Sequence, residues 1–528
     1  MSRHTGRSSR SARLLRSALL LLLASIAFAP GAAAQELEGR VRRVTLDNGM
    51  RFLIMQRGTA PVFSANLRFR VGSVDDPGGA SGMAHLFEHM AFKGTSIIGV
   101  RDTGAEAGIL DAIDRAVHQL HAELNRGEAA DPERLVELRQ EIASQTERHA
   151  QLVIKDEFSE ILSGQGAQGL NASTGQDFTS YVMSLPSNRL ELWCLMESAR
   201  LQDLILREFY SERDVVMEEH RMRIEDQPDG KLYEQLLLTA YQAHPYRVSV
   251  VGWMEDLARM TREDAREFRR RHYVPNNAVA AIVGDIDPVE AEKLIRKYFE
   301  ALSPAPPPPA PTLREPLQKG ERRVVVEYDA EPSLMIAFHK PSMPHPDDAV
   351  FDVIESLLTS GRTSRLFRRL VMETRVASNV SAFEAPGERY PNLFIVVADP
   401  RAPHTAAEVQ SVLLEEIDRL AREPATAREL EKIRNQVETS FLYSLRSNQG
   451  LAWQLSYYEI LTGKWENLLR YQKEVTGVTP ERLQDVAART FVPSNRTVAV
   501  RVRPQPSDGS EGAPETDAAG PAGEETGS

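Results

Sequence analysis

Hydrophobic and polar positions alternate in short runs at the start of the chain's folded part. Residues 41–46 and 50–55 read as two strands around Asp47-Asn48-Gly49, a strong hairpin signal. Residues 62–71 alternate as a third strand, and Asp75-Asp76-Pro77-Gly78-Gly79 then forms a loop into a helix. That helix carries Leu86, Phe87, Met90, Ala91 and Phe92, enough apolar surface to bury it. The sequence predicts a strand over 179–183 and an amphipathic helix over 190–206. A further helix is capped by Ser211-Glu212-Arg213-Asp214, and a strand over 278–283 closes at Gly284-Asp285. Strands mixed with helices in this order give an α+β fold of antiparallel sheets packed with helices.

Residues 102–158 differ in character. Ile109, Ile113, Val117, Leu120 and Leu124 recur at helical spacing, Asn125-Arg126-Gly127 breaks the run, and Asp131-Pro132 suits a second helix start before Leu135, Leu138 and Ile142. This is a charged helical hairpin inserted into the first domain. Its charges read as a solvated face, with a partner-binding or substrate-gating arm as the sharper alternative.

One repeat is visible within the chain. Residues 261–277, TREDAREFRRRHYVPNN, match 479–495, TPERLQDVAARTFVPSN, without a gap, and each copy precedes an apolar strand. Between them lies the stiff Pro-rich linker 303–316. The chain therefore reads as two homologous α+β domains, 36–302 and 317–503, followed by an acidic tail, 504–528, too polar to fold.

The first 34 residues are an export signal rather than fold: five arginines, an apolar run over 18–28, and Ala32-Ala33-Ala34 as the cleavage site. That run is short for a membrane span, so the expected location is the periplasm or outside the cell. A net charge of −12 argues against a nucleic-acid partner. Cys194, the single cysteine, allows no intrachain disulfide and reads as an apolar filler.

The chemistry concentrates in His85-x-x-Glu88-His89. Histidines at i and i+4 lie on one helix face and can both reach one metal ion. Glu88 sits on the same side, placed to take a proton from a water that the metal activates. A catalytic zinc wants a third protein ligand. Glu212 and Glu219 stand two helical turns apart, so either can supply it while the other orients a ligand, and spacing alone does not exclude His220.

These residues, with Phe92-Lys93-Gly94-Thr95, Leu170-Asn171-Ala172-x-Thr174, Glu212-Arg213-x-x-Val216-x-x-Glu219 and His244-Pro245-Tyr246, resemble the pitrilysin/insulinase family of zinc metallopeptidases, on its short two-domain, processing-peptidase-like branch. The resemblance spans about 41–503 apart from the insert. It implies His85, His89 and Glu219 as ligands of one Zn2+, Glu88 as general base and Glu212 as a supporting carboxylate. It also implies Asn171 beside the sheet edge on which an extended peptide adds as a strand. The expected function is endopeptidase cleavage of peptides or unfolded polypeptides.

One departure is plain. The family commonly carries an Arg and, seven residues later, a Tyr in its second half; alignment on Gly361-Arg362-Thr363-Ser364-Arg365-Leu366 puts Val371 and Ser378 there. Neither offers the donor that an oxyanion needs. Tyr390 or Arg375 are the available substitutes. The alternative expectation is therefore a non-catalytic or half-active zinc-binding subunit whose partner supplies the pair, and the expected assembly is a homodimer or a heterodimer with a related non-zinc subunit.

Overall fold

The computed structural model describes Leu37, residues 39–58 and residues 60–504. The expected signal peptide lies outside the described residues, as does the tail from 505 onward. Two mixed sheets organise the chain. The first contains β1 (Val41–Thr45), β2 (Arg51–Gln56), β3 (Val62–Phe69), β4 (Gln168–Thr174), β5 (Thr179–Pro186) and β6 (Ala278–Gly284), in the order β1-β2-β6-β3-β5-β4. The second contains β7 (Arg322–Glu327), β8 (Ser333–Lys340), β9 (Ala377–Ala385), β10 (Asn392–Pro400) and β11 (Arg496–Val502), in the order β7-β11-β8-β10-β9. With β1 set aside, the two orders match strand for strand. Each sheet is antiparallel except for one parallel pair, β2 with β6 and β7 with β11.

The repeat builds the same device twice. Thr261 caps the Arg262–His272 helix by accepting from Asp264 N, and Thr479 caps the Pro480–Thr490 helix by accepting from Arg482 N. After each helix a short Val-Pro-x-Asn turn delivers a central strand, β6 or β11. The turn's last Asn closes it: Asn277 Nδ2 donates to His272 O at 2.9 Å and Asn495 Nδ2 to Thr490 O at 3.0 Å.

The halves cover each other's sheets. The Pro228–Ala240 helix of the first half packs on β7 and β11 of the second, where Leu236 and Leu237 join Met335, Ala337 and Ile395. The Asn448–Thr462 helix of the second half packs on β3 and β6 of the first, where Leu451 and Leu455 join Leu53, Met55 and Val283. Glu459 on that helix, 1% exposed, takes ion pairs from Arg43 at 2.7 Å and Arg51 at 2.9 Å.

Two expectations change. The helix said to start at Ser211 runs Phe209–His220, with Glu208 in the left-handed region (φ 58°) at its start. An N-cap side chain is therefore absent there, and Glu212 sits inside the first turn instead of capping it. The edge strand β4 escaped the sequence reading because Gly169 and a register irregularity between Gln168 and Asn171 disturb its alternation.

The insert forms the helices Thr103–Leu124 and Pro132–Ala150, which pack on each other. Its base is anchored. Glu106, 1% exposed, accepts from Arg207 Nε at 2.7 Å and Nη2 at 2.9 Å, and lies 3.0 Å from His149 Nε2. Arg207 also donates to the carbonyls of Thr95 and Ile98, fixing the loop that follows the His85 helix. Asp114 takes Arg262 at 2.7 Å and the Tyr210 hydroxyl at 3.1 Å. Cys194 is free and buried, and burial pushes its thiol pKa up.

Candidate active site

The Met83–Met90 helix begins at Gly82 (φ 90°), where a side chain would meet Val251 O at 2.3 Å. The Asp76 carboxylate accepts from Gly82 N and Ala84 N, each at 2.8 Å, so a loop residue satisfies the helix's free amides. One face buries Leu86, Phe87 and Met90; Phe87 stacks on Tyr273 with ring centroids 4.0 Å apart. His85, Glu88 and His89 turn toward the Phe209–His220 helix and β4, the elements packed beside them.

His85 Nε2 lies 3.4 Å from Glu219 Oε2, and His89 Nε2 lies 4.0 Å from Glu219 Oε1. Donor atoms of these three residues fall within 4.8 Å of one another, the one such group among the described residues. A tetrahedral ion with bonds of about 2.1 Å keeps its ligands roughly 3.4 Å apart, so the cluster needs little adjustment to hold one. Glu219 Oε2 is buried without a hydrogen-bond donor, which a metal would satisfy. Burial, with repulsion from His89 and Arg223, pushes the His85 pKa down to about 3, so its ring is neutral and has a lone pair to give. Two imidazoles and a carboxylate with an open fourth position fit zinc.

Glu212 stands on the other side of His89, with Oε2 3.3 Å from Nδ1, and so leaves Nε2 toward Glu219. Its other oxygen takes Lys93 Nζ, which also reaches Glu208 at 3.4 Å. Burial works against the Glu212 carboxylate, but His89 and Lys93 outweigh it and hold its pKa below the usual range. Burial likewise works against a charged His89, and Glu212 and Glu219 outweigh it in turn, raising the pKa. His220 stays out of the cluster; its ring is buried, with Nδ1 3.5 Å from Glu225.

Glu88 Oε2 accepts from the Thr174 hydroxyl at 2.6 Å, at the end of the free edge strand β4, and burial raises its pKa. Asn171 is exposed on the same strand, opposite Val182 of β5. Thr174 and Lys93 both stood in the motifs quoted above, but nothing in their spacing said which carboxylates they would hold.

Comparison with known proteins agrees with this geometry. The model for Insulinase (Peptidase family M16) matches residues 51–99, which contain His85, Glu88 and His89, and the model for the Peptidase M16 inactive domain matches residues 259–437. The chain is 27% identical over 462 residues to the zinc protease PqqE of Helicobacter pylori, covering 86% of this chain and 91% of that one. It is 22% identical to a probable mitochondrial-processing peptidase subunit beta of Arabidopsis thaliana, covering 78% of this chain and 68% of that one. The crystal structure of a protease from Helicobacter pylori matches with a TM-score of 0.73 at 25% identity, over 88% of this chain and 99% of that one. Both halves of the chain match models of the insulinase (M16) peptidase family.

The second half contributes no side chain to the His85–Glu88–His89–Glu219 cluster through any hydrogen bond or ion pair among the described residues. Val371 packs against the second core, and Ser378 donates to Asp399 O at 3.2 Å. Arg375 is exposed with φ 58°, while Tyr390 lies against His244 at 5.0 Å and accepts from Arg389. The His244-Pro245-Tyr246 motif is an inter-half clamp. The Tyr246 hydroxyl donates to Asp177 at 2.6 Å, and the same carboxylate takes the backbone amides of Glu388 and Arg389.

Proposed function

We propose that this chain is an exported zinc-dependent endopeptidase that cleaves peptides or unfolded polypeptides. One observation carries the reading: a general-base candidate, Glu88, sits beside a three-ligand metal cluster at the end of a free sheet edge. A bound zinc would supply a Lewis acid and lower the pKa of a water in its open position to about 7. His85, His89 and Glu219 would hold it, and Glu212 would fix the His89 ring. Glu88, held by the Thr174 hydroxyl, takes the proton of the attacking water and returns one to the leaving amine. The unpaired backbone of β4, with Asn171 exposed along it, offers hydrogen bonds to a peptide only when that peptide is extended. Such an edge selects unfolded chain over folded protein. Export rests on the basic-then-apolar leader, with cleavage near Ala34; no helix among the described residues is long and apolar enough to cross a membrane.

The test is hydrolysis of a mixed, fluorescence-quenched peptide pool by the purified chain, with and without chelator, beside Glu88→Gln. Chelator-sensitive cleavage that vanishes in the variant supports the reading. Inertness of a zinc-loaded wild type overturns it.

A second reading has its own observation. The Val371 side chain has no polar hydrogen and Ser378 spends its hydroxyl on Asp399 O, so the chain would be a half-active zinc-binding subunit whose partner, a related non-zinc subunit, brings the Arg and Tyr. Activity that appears only when such a partner is added would favour it over a self-sufficient homodimer.

A further inference from the structure

The hydroxyls behind Glu88 do not end at Thr174. Thr174 Oγ1, which donates to Glu88 Oε2 at 2.6 Å, lies 3.3 Å from Thr179 Oγ1 across the β4–β5 pair. Thr179 Oγ1 in turn accepts from the Tyr273 hydroxyl at 3.3 Å and donates to Val71 O at 3.0 Å. Thr179 and Val71 are fully buried, and Tyr273 is 6% exposed. Three hydroxyls therefore run from the general-base candidate into the core of the first half.

The second half shows what these positions hold where there is no such base. Its Asp348–Thr359 helix packs on edge strand β9 as the Met83–Met90 helix packs on β4. Tyr273 and Phe491 occupy the same place in the repeat. Each ring packs on an aromatic of its own half's helix, Phe87 at 4.0 Å and Phe351 at 6.3 Å. The strand register extends the match. Ala278 and Arg496, the first residues after the two copies, face Phe69 and Phe338. Phe69 pairs with Thr179, and Phe338 with Phe394. Thr179 pairs with Thr174, and Phe394 with Glu384. Thr174, Thr179 and Tyr273 thus become Glu384, Phe394 and Phe491. The rings of Phe394 and Phe491 lie 5.5 Å apart where Thr179 and Tyr273 share a hydrogen bond. Both halves use an aromatic ring at that place; the hydroxyls come with Glu88.

The proton count gives the chain a direction. Each hydroxyl has one hydrogen to give and two sites to accept. Thr179 gives its own hydrogen to Val71 O, and Tyr273 fills one of its acceptor sites. Burial pushes the Tyr273 pKa well up, so the phenol keeps the hydrogen it donates. Thr174 then gives its hydrogen along the shorter contact, to Glu88. Without the Tyr273 hydroxyl, Thr179 has both acceptor sites open to compete for it.

We propose that Thr179 and Tyr273 are positioning residues for Glu88. Acting through Thr174, they keep its hydroxyl aimed at Glu88 Oε2, which leaves Oε1 as the oxygen that takes the proton. The role rests on the peptidase reading; the hydroxyl chain does not.

The test compares the zinc-loaded wild type with Tyr273→Phe, whose ring matches Phe491 of the second half and so keeps the packing. On one fluorescence-quenched peptide, kcat should fall about three- to tenfold while KM stays within about twofold, and bound zinc should be unchanged. In a Thr174→Val background the same change should cost no further kcat, because the path to Glu88 is already cut. Thr179→Ser, which keeps a hydroxyl, should recover most of the activity that Thr179→Val loses. The metal-free chain gives a reading independent of turnover. There Tyr273→Phe and Thr174→Val should each lower the melting midpoint, and together by less than the sum of the two shifts. Unchanged kcat in Tyr273→Phe beside an active wild type overturns the proposal and leaves the peptidase reading standing. So does a loss equally large in the Thr174→Val background, or one accompanied by zinc release or a raised KM, since these mark a packing role. Additive melting shifts overturn the hydroxyl chain itself. An inert zinc-loaded wild type overturns the peptidase reading, and the positioning role with it.

Discussion

The two halves share strand order, the capped helix before the central strand, and the helix that packs on the edge strand, yet they differ where that helix meets that edge. In the first half the junction holds His85, Glu88 and His89 against Glu219 and Thr174. In the second it holds Asp348, Asp352 and Glu355 against Glu384 and Lys340. A duplicated fold keeps the place where functional side chains can converge, while a few positions on one helix face decide what converges there.

The largest effect should separate the two junctions outright. Glu88→Gln should lower peptide hydrolysis by about 10²–10⁴-fold while metal content, read by atomic emission, stays near one ion per chain. Asp352→Asn should leave the turnover of neutral peptides within about twofold, since that residue touches none of the metal cluster. Next come the exchanged helices. Leu236→Ala and Leu455→Ala each empty a fully buried site, and each should cost about 2–5 kcal/mol in denaturant melts. Their effect should appear in amide exchange of the opposite half's sheet.

A smaller effect tests how alike the halves are. Asn277→Ala and Asn495→Ala remove the same turn-closing hydrogen bond, so each should cost about 1–2 kcal/mol, and the two values should agree within about 0.5 kcal/mol. The most local effect belongs to the insert, which the second half lacks. Burial works against Glu106, but Arg207 and His149 more than offset it and hold its pKa at about 2. A depressed carboxylate stabilises fully above its unfolded pKa near 4.5 and loses that contribution as pH falls toward 2. Amide exchange in the Thr103–Leu124 helix should therefore accelerate through that window before the sheets respond.

The legible parts were those written in local pattern. The hairpin at Asp47-Asn48-Gly49, the helix under His85 and the paired Val-Pro-x-Asn turns all follow from spacing, because their partners lie close in sequence. The grouping of His85, His89 and Glu219 needed the family resemblance, since 130 residues separate His89 from Glu219 and spacing left Glu212 and His220 open. Thr174 on Glu88 and Lys93 on Glu212 are contacts between elements brought together only by the sheet and the helix pair, so no periodicity announces them. Most of the insert's charges do lie on a solvated face, and the exception hid for the same reason. Glu106 reads as one more solvated acid until Arg207, far along the chain, closes over it.

The exchange of covering helices also constrains how the molecule comes to exist. A growing chain that has completed β3 and β6 still presents a bare apolar sheet face, and the helix that will cover it, Asn448–Thr462, comes more than 160 residues later. Its mirror image is milder, for Pro228–Ala240 precedes the strands it covers. Maturation is therefore asymmetric in time. The early half waits with a sticky surface, the late half arrives onto a cover already made, and any truncation before about residue 462 strands the first half in that waiting state.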